Sequence, residues 1–291
     1  MSLHYKLLAI DVDGTLVNSR NELPDSHRTA LHRAHEAGLV VCLCTGRSLA
    51  ETRHVIDALG LDLDAGIFVF GAIVSDLQRK VTLCRTALSA ETSHRVVTHF
   101  QAEGNPVLLL YDAADAGVEY VLVEGTRNAE AYERWTEVSP MRVERVASWS
   151  YDTFALAPVR IGIIESPAHI AETTRKLADS FSGDELKFNS IYAANYGLHV
   201  VECFEPTVNK WQGIRRVAER LQIRLSEVVA VGDDVNDFEM ISQAGLGVAT
   251  ANANERIKAV AHEIVPSNDD GGVAVLVDRL LMGKTVPSAG E

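Results

Sequence analysis

The sequence predicts an α/β fold in which an open parallel sheet is interrupted by an inserted α+β module. Three short apolar segments, residues 6–10, 39–44 and 228–231, each run directly into polar residues. Near-continuous apolar runs of this length are typical of parallel strands that are covered on both faces. Ligands of such sheets bind at the carboxyl ends of the strands, so the polar residues that follow them are the first candidates for a site.

The segments between these strands have helical patterns. Pro24, Asp25 and Ser26 are suited to begin a helix that Gly38 ends, and residues 49–59 are followed by a glycine. Residues 210–221 carry apolar side chains at helical spacing. The alternation of strands and helices supports the open α/β sheet.

The middle of the chain has a different order of elements, which indicates a separate α+β module. It contains a strand pair joined by a polar loop, and then two strands separated by a helix at about residues 168–180. We expect this cap at residues 85–202, with residues 1–84 and 203–291 forming the sheet domain. The expected strands of the module are residues 107–111, 118–123, 159–164 and 186–191.

Composition limits the classes of partner. The 291 residues are 47% hydrophobic and 23% charged, as in a globular chain of one large or two ordinary domains. With 27 basic and 40 acidic residues the net charge is −13, which argues against binding to nucleic acid. The apolar stretch 65–75 is shorter than the roughly 20 residues of a membrane helix, and no secretory pattern begins the chain, so no membrane partner and a cytoplasmic location are expected.

The four cysteines favour a reducing compartment. Cys42 and Cys44 lie in the second apolar strand, two residues apart and on one face. A zinc site would need further ligands at suitable spacing. Buried free thiols are therefore the preferred interpretation.

Two carboxylates follow the first strand directly. Asp11 and Asp13 lie on the same side of an extended segment, and Gly14 permits a tight turn whose backbone N–H groups can hold an anion. Such a pair suits either a hard cation or a nucleophile with an acid/base partner. Calcium loops and ordinary turns use the same pattern, so this motif alone is not specific.

A second acidic cluster follows the strand at residues 228–231. It adds Asp233, Asp234, Asn236 and Asp237 at the same edge of the sheet. Carboxylates crowded in this way repel each other, and a divalent cation relieves the repulsion. A polar capping loop at a helix start would explain one of these aspartates but not the whole set.

Two further features are suited to a phosphate group. Thr45, Gly46 and Arg47 end the second strand at a helix start, where a hydroxyl and free N–H groups can contact phosphate. Lys210 begins a helix and would add a point charge. Taken singly, a capped helix with Arg47 in solvent and a surface lysine are equally good or better interpretations.

In this order, the four clusters resemble the motifs of the haloacid dehalogenase-like hydrolase superfamily, and within it the Cof-type phosphatases. The resemblance covers nearly the whole chain and includes the late Asp269-Asp270-Gly271-Gly272 segment. It implies a Rossmann-like core and places a substrate-selecting cap where residues 85–202 lie. It implies a Mg²⁺-dependent phosphatase of a small phosphorylated metabolite, such as a sugar phosphate.

The resemblance also implies residue roles. Asp11 would be the nucleophile that forms an aspartyl-phosphate, and Asp13 the general acid/base. Mg²⁺ would be held by Asp11, Asp233 and the backbone carbonyl of Asp13. Asp237 would orient Lys210 or a metal-bound water, with Asp234 beside it. The phosphate would be held by Thr45, Gly46, Arg47, Lys210 and Asn236.

Two other functions stay open at this point. A phosphomannomutase-like phosphotransferase shares the motif set, and a non-catalytic phosphate-binding regulatory module would keep the fold without turnover. One departure from the family pattern concerns the substrate: Phe70 stands where the family usually has an asparagine, before Gly71 and Ala72. Neither the substrate nor the oligomeric state follows from the sequence.

Overall fold

A computed structural model describes residues 3–139, 141–154, 156–193 and 196–283 of the chain. It confirms the predicted α/β fold class. The chain divides into two compact units, of which one contains residues 1–84 and 209–291 and the other residues 85–208. The expected module boundary at residue 202 falls inside a strand that continues to Phe204.

The described strands form two sheets, and α-helices separate most of the strands along the chain. In chain order they are β1 (Leu7–Asp11), β2 (Val40–Cys44), β3 (Ala65–Phe68), β4 (Ile73–Asp76), β5 (Val81–Arg85), β6 (Val107–Leu110), β7 (Tyr120–Val123), β8 (Val143–Val146), β9 (Arg160–Ile164), β10 (Lys187–Ala193), β11 (Leu198–Phe204), β12 (Val228–Gly232), β13 (Leu246–Thr250) and β14 (Glu263–Val265).

The α-helices range from about one turn to about three and a half turns. In chain order they are α1 (Asp25–Glu36), α2 (Leu49–Leu59), α3 (Ala90–Ala102), α4 (Ala113–Ala116), α5 (Ala129–Val138), α6 (Tyr151–Phe154), α7 (Ile170–Ser180), α8 (Lys210–Arg220), α9 (Phe238–Gln243), α10 (Glu255–Lys258) and α11 (Gly272–Met282). Within the described residues, no helix combines the length and apolar character needed to cross a membrane.

The sheet of the first unit has the order β14-β13-β12-β1-β2-β3-β4-β5. Strand β1 lies between β2 and β12 and is parallel to both, and β3 pairs antiparallel with β4. Asp11 at the end of β1 is opposite Cys44 at the end of β2. The three apolar runs of the sequence are therefore adjacent, and the polar residues that follow them meet at one edge.

Both faces of this sheet are covered, as the continuous apolar strands require. Alternate residues of β1 point to opposite sides, so that Leu8 packs in the cluster with α1 and α11, whereas Leu7 packs with α8 and α9. Cys42 and Cys44 are buried in the second cluster, and all four cysteines are free thiols. This burial is the packing role preferred from the sequence.

Two helix starts bring candidate residues to the sheet edge. Helix α2 begins with a capping box, in which the Ser48 side chain accepts from the Glu51 N–H and the Glu51 carboxylate accepts from the Ser48 N–H. Helix α8 is capped by Asn209, whose side chain accepts from the Gln212 N–H. Lys210 is consequently the first residue of α8, as the sequence pattern predicted.

The second unit contains a six-stranded sheet in the order β10-β11-β9-β6-β7-β8. Its pairs are antiparallel except for β7 with β8. The polar loop expected between its first two strands contains the single turn α4, because Asp112 caps the Ala114 N–H and Gly117 adopts a φ of +68°. Helices α3 and α5 and strands β8 and β11 were not among the elements expected from the sequence.

Candidate active site

Asp11 and Lys210 form a buried ion pair at the carboxyl end of β1. The Lys210 ammonium lies 2.5 Å from Asp11 Oδ1 and 2.6 Å from Asp237 Oδ1. Only 1% of the Lys210 side chain is exposed. Burial opposes the charged ammonium, but the charges of Asp11 and Asp237 outweigh it and raise the pKa of Lys210. The lysine is therefore a fixed positive charge and not a surface residue.

Three carboxylates converge on this position. One oxygen each from Asp11, Asp233 and Asp237 lies within 4.8 Å of the others. Burial, and then the charge of Asp237, raise the pKa of Asp11 well above its usual range, although the charge of Lys210 opposes this. The same two causes raise the pKa of Asp233 to about 7. One ammonium does not balance the charge of three ionised carboxylates, so a further cation would be stabilised here. Oxygen ligands of this kind fit a divalent cation such as Mg²⁺.

Asp237 joins Asp11 and Asp233 in this cluster, although the resemblance gives it a different role. The resemblance assigns the metal to the backbone carbonyl of Asp13, and the side chain of Asp13 is directed to Arg47. Asp237 Oδ2 also accepts hydrogen bonds from the backbone N–H groups of Asp233 and Asp234, at 3.0 and 3.1 Å. Asp237 thus links the loop after β12 to Lys210, while the Asp234 side chain is exposed.

The turn after β1 is shaped around Asp233. Gly14 has a φ of +75°, and a Cβ at this position would lie 2.3 Å from Asp233 Oδ2. The Thr15 hydroxyl donates to Asp233 Oδ1 at 3.1 Å. A glycine is required here both for its backbone conformation and for the close approach of the carboxylate.

Asp13 and Arg47 contact each other through both carboxylate oxygens. Arg47 Nε donates to Asp13 Oδ2 at 2.9 Å, and Arg47 Nη2 donates to Asp13 Oδ1 and to Asn21 Oδ1. The Asp13 side chain is 59% exposed and that of Arg47 only 8%. Arg47, for which the sequence suggested a phosphate contact or a solvent position, is buried against the expected acid/base residue. Nothing in the sequence pattern singled out Asn21.

Thr45 and Gly46 form a closely packed loop at the end of β2. The buried Thr45 hydroxyl accepts from the Arg47 N–H at 3.1 Å. The Phe70 N–H donates to the Thr45 carbonyl at 3.0 Å, and a Cβ on Gly46 would lie 2.4 Å from Cζ of the Phe70 ring. Phe70 is buried with a φ of +57°, a conformation that asparagine adopts more readily than an aromatic residue.

Asn236 lies in the loop after β12, where it was expected beside the phosphate. It is half-buried, and its side-chain oxygen is shielded from solvent with no hydrogen-bond partner among the described residues. Its position between Asp234 and Asp237 keeps it at the same sheet edge as the other candidates.

Further polar residues that follow β13 and β14 contact the site or the segment after Gly14. Asn252 donates to the Gly14 carbonyl at 2.8 Å, and the Asn254 N–H donates to the Asp233 carbonyl at 2.8 Å. Asp269 accepts from the Ser19 N–H at 2.8 Å. Asn252 and Asn254 were missed from the sequence, although polar residues after an apolar strand at the same edge were the available signal.

A family model described as haloacid dehalogenase-like hydrolase matches residues 8–277. The chain belongs to this family. It is 26% identical over 299 residues to the 5-amino-6-(5-phospho-D-ribitylamino)uracil phosphatase YwtE of Bacillus subtilis, a match that covers 96% of this chain and 99% of that protein. It is 27% identical over 287 residues to the pyridoxal phosphate phosphatase YbhA of Escherichia coli K12, and this match covers 94% of this chain and 97% of that protein.

The fold is shared with solved members of the family. A haloacid dehalogenase-like hydrolase from Bacteroides thetaiotaomicron superimposes with a TM-score of 0.79 at 24% identity, over 95% of this chain and 99% of that one. The predicted family is therefore confirmed, and the enzyme is a phosphatase of the haloacid dehalogenase type.

Replacement of Gly46 by alanine tests the packing of the loop formed by Thr45 and Gly46. Gly46→Ala is expected to lower the free energy of unfolding by about 1–3 kcal/mol, because the new methyl group overlaps the Phe70 ring. Urea unfolding measures the change, and the same substitution in a Phe70→Ala background is the control. If Gly46→Ala lowered the free energy of unfolding by as much in the Phe70→Ala background, Phe70 would not limit the space at Gly46.

The raised pKa of Asp233 predicts how metal stabilisation depends on pH. A carboxyl whose folded pKa of about 7 lies above its usual 3.8 makes a favourable contribution at low pH that is lost as the pH rises through this range. A bound divalent cation must replace the proton, so Mg²⁺ should raise the melting temperature more at pH 8 than at pH 5. Thermal unfolding with Mg²⁺ or a chelator measures this; Asp233→Asn should reduce the difference. An equal shift at both pH values would contradict the prediction.

Proposed function

We propose that this enzyme hydrolyses the phosphate monoester of a small metabolite, such as a sugar phosphate, with Mg²⁺ as cofactor and an aspartyl-phosphate on Asp11 as intermediate. The observation that supports it most is the buried Lys210 ammonium between Asp11 and Asp237, with Asp233 beside them. A carboxylate nucleophile and a phosphate dianion repel each other, so positive charge is needed to bring them together: Lys210 supplies one such charge, and a cation held by the three carboxylates would supply more.

The first step transfers the phosphoryl group to the enzyme. An Asp11 carboxylate oxygen forms a bond to phosphorus while the bond from phosphorus to the leaving oxygen breaks. Lys210 neutralises charge on the transferring group, and Thr45 and Gly46 orient it. Mg²⁺, held by Asp11 and Asp233 with Asp237 nearby, would supply charge neutralisation at the phosphoryl oxygens.

Asp13 carries the protons in both halves of the reaction. In its acid form it donates a proton to the leaving oxygen, and the released alcohol departs. The resulting carboxylate then takes a proton from a water molecule that attacks phosphorus, which frees Asp11 and inorganic phosphate. The 59% exposure of the Asp13 side chain supports this role, because both a leaving group and water need access to it.

We further propose that the inserted unit selects the substrate while the first unit carries the chemistry. The relatives are named for different phosphorylated compounds, a ribitylaminouracil phosphate and pyridoxal phosphate. All the residues assigned to catalysis above belong to the first unit. Exchange of residues 85–208 for the corresponding unit of a relative should therefore change the preferred substrate and retain Mg²⁺-dependent hydrolysis of a small aryl phosphate.

A panel of phosphate monoesters tests the proposed function. Release of inorganic phosphate from sugar, nucleotide and cofactor phosphates should require Mg²⁺ and stop in excess chelator, and Ca²⁺ should inhibit because its looser coordination positions the phosphate poorly. A hexose phosphate isomer as product, without free phosphate, would identify a mutase instead. Binding of phosphate without turnover of any ester would identify a regulatory module.

A further inference from the structure

Arg47 is held by contacts of both its side chain and its backbone. Its Nη2 donates to Asn21 Oδ1 at 2.5 Å, its Nη1 lies 3.5 Å from His54 Nε2, and its backbone N–H donates to the Thr45 hydroxyl. Its carbonyl accepts from the Val69 N–H at 2.9 Å. A guanidinium held in this way presents its remaining donors in one direction, and that direction is the Asp13 carboxylate.

Among the described residues, Asp13 has no restraint comparable to those of Arg47. The side chain is 59% exposed, and the hydrogen bonds the structure shows for its carboxylate come from Arg47. A pair with one exposed partner adds little to stability, so the main effect of the contact is on orientation. Asp13 follows Asp11 by two residues directly after β1, which keeps both residues at the same edge of the sheet.

We propose that Arg47 is a positioning residue that holds the Asp13 carboxylate for proton transfer to the leaving group, and that it does not act through the phosphate. This proposal rests on the proposed function. Both Asp13 oxygens accept from Arg47, yet each keeps a second lone pair that can carry the transferred proton. The two-point contact fixes the plane of the carboxylate, and therefore the direction of that lone pair.

The dependence of the rate on the leaving group shows whether Arg47 positions Asp13 or binds the phosphate. The nitrophenolate of a nitrophenyl phosphate can leave without being protonated, whereas the more basic alkoxide of an alkyl phosphate needs a proton as it leaves. Arg47→Ala should lower kcat/KM for alkyl phosphates by about 10²-fold or more and lower it much less for p-nitrophenyl phosphate. Because kcat/KM reports only the steps through the first phosphoryl transfer, the later attack by water does not enter the comparison. Inhibition by inorganic phosphate should change little.

A double-mutant cycle gives an independent readout. If Arg47 acts through Asp13, Arg47→Ala should add little to the loss already caused by Asp13→Asn with alkyl esters. Arg47→Lys should recover only part of the loss, since an ammonium cannot make the two-point contact. Asn21→Ala, which removes one support of the guanidinium, should shift the leaving-group dependence in the same direction but less.

The outcomes separate this proposal from the function on which it rests. Equal losses for nitrophenyl and alkyl esters, together with weaker inhibition by inorganic phosphate and additive losses in the cycle, would make Arg47 a phosphate ligand and overturn the proposal. Absence of a leaving-group effect in Asp13→Asn itself would instead remove Asp13 as the acid. Thermal unfolding of each variant shows whether it is folded. If Arg47→Ala does not fold, the leaving-group dependence is measured in Asn21→Ala instead.

Discussion

Asp11→Asn should abolish phosphatase turnover while the protein stays folded. The substitution removes the oxygen nucleophile but keeps the shape of the side chain, and loss of a nucleophile costs about 10⁴–10⁶-fold in kcat. The fold should tolerate the change because burial already disfavours the charged form of Asp11 and Lys210 keeps Asp237 as a partner. The measurement is the release of nitrophenol from p-nitrophenyl phosphate in Mg²⁺, with circular dichroism to confirm the fold.

Covalent labelling distinguishes the nucleophile from the acid/base residue. Asp13→Asn should lose about 10²–10⁴-fold in turnover, yet with a good leaving group it should accumulate phosphate on Asp11. Intact-mass spectrometry after acid quenching should therefore show an added phosphoryl group in Asp13→Asn and none in Asp11→Asn. Retention of more than a small fraction of the wild-type rate by Asp11→Asn would mean that another residue forms the intermediate.

The first unit could be predicted well from the sequence because its strands are buried on both faces. Continuous apolar runs such as those of β1, β2 and β12 have few interpretations other than buried strands, and their carboxyl ends mark the edge of the sheet where the site lies. The second unit was predicted less completely. Its strand β8 has two adjacent exposed charged residues between two half-buried valines, and β11 follows a segment with mixed polarity, so periodicity alone did not define either strand.

Site residues were predictable where a motif follows a strand, and unpredictable where a contact joins distant segments. Asp11, Asp233 and Lys210 converge as the strand-end rule predicts, since each comes from an element at the same edge. The partners of Arg47 depend on loop conformations and side-chain directions that spacing does not encode. The contact of Phe70 with Gly46 likewise depends on a left-handed backbone at Phe70, for which the residue type gives no signal.

Lys210→Met should destabilise the metal-free protein strongly. The substitution keeps the volume of the side chain but leaves two carboxylates, with 6% and 0% side-chain exposure, without their buried counter-charge. Breaking a buried ion pair by removing one partner costs about 3–5 kcal/mol. The loss should be larger at pH 8 than at pH 5, because protonation relieves the uncompensated charge of Asp11 at low pH. Urea unfolding at the two pH values, in excess chelator, measures it.

The control for this prediction removes one negative charge together with the positive one. Lys210→Met with Asp237→Asn should recover part of the lost stability, and Mg²⁺ should stabilise Lys210→Met more than it stabilises wild type, because the cation replaces some of the missing charge. Activity should not return in either case, since the transferring phosphoryl group still lacks its ammonium partner. A Lys210→Met protein as stable as wild type at pH 8 in chelator would show that burial, and not Lys210, sets the charge of this cluster: its carboxylates would then be largely protonated before any metal binds.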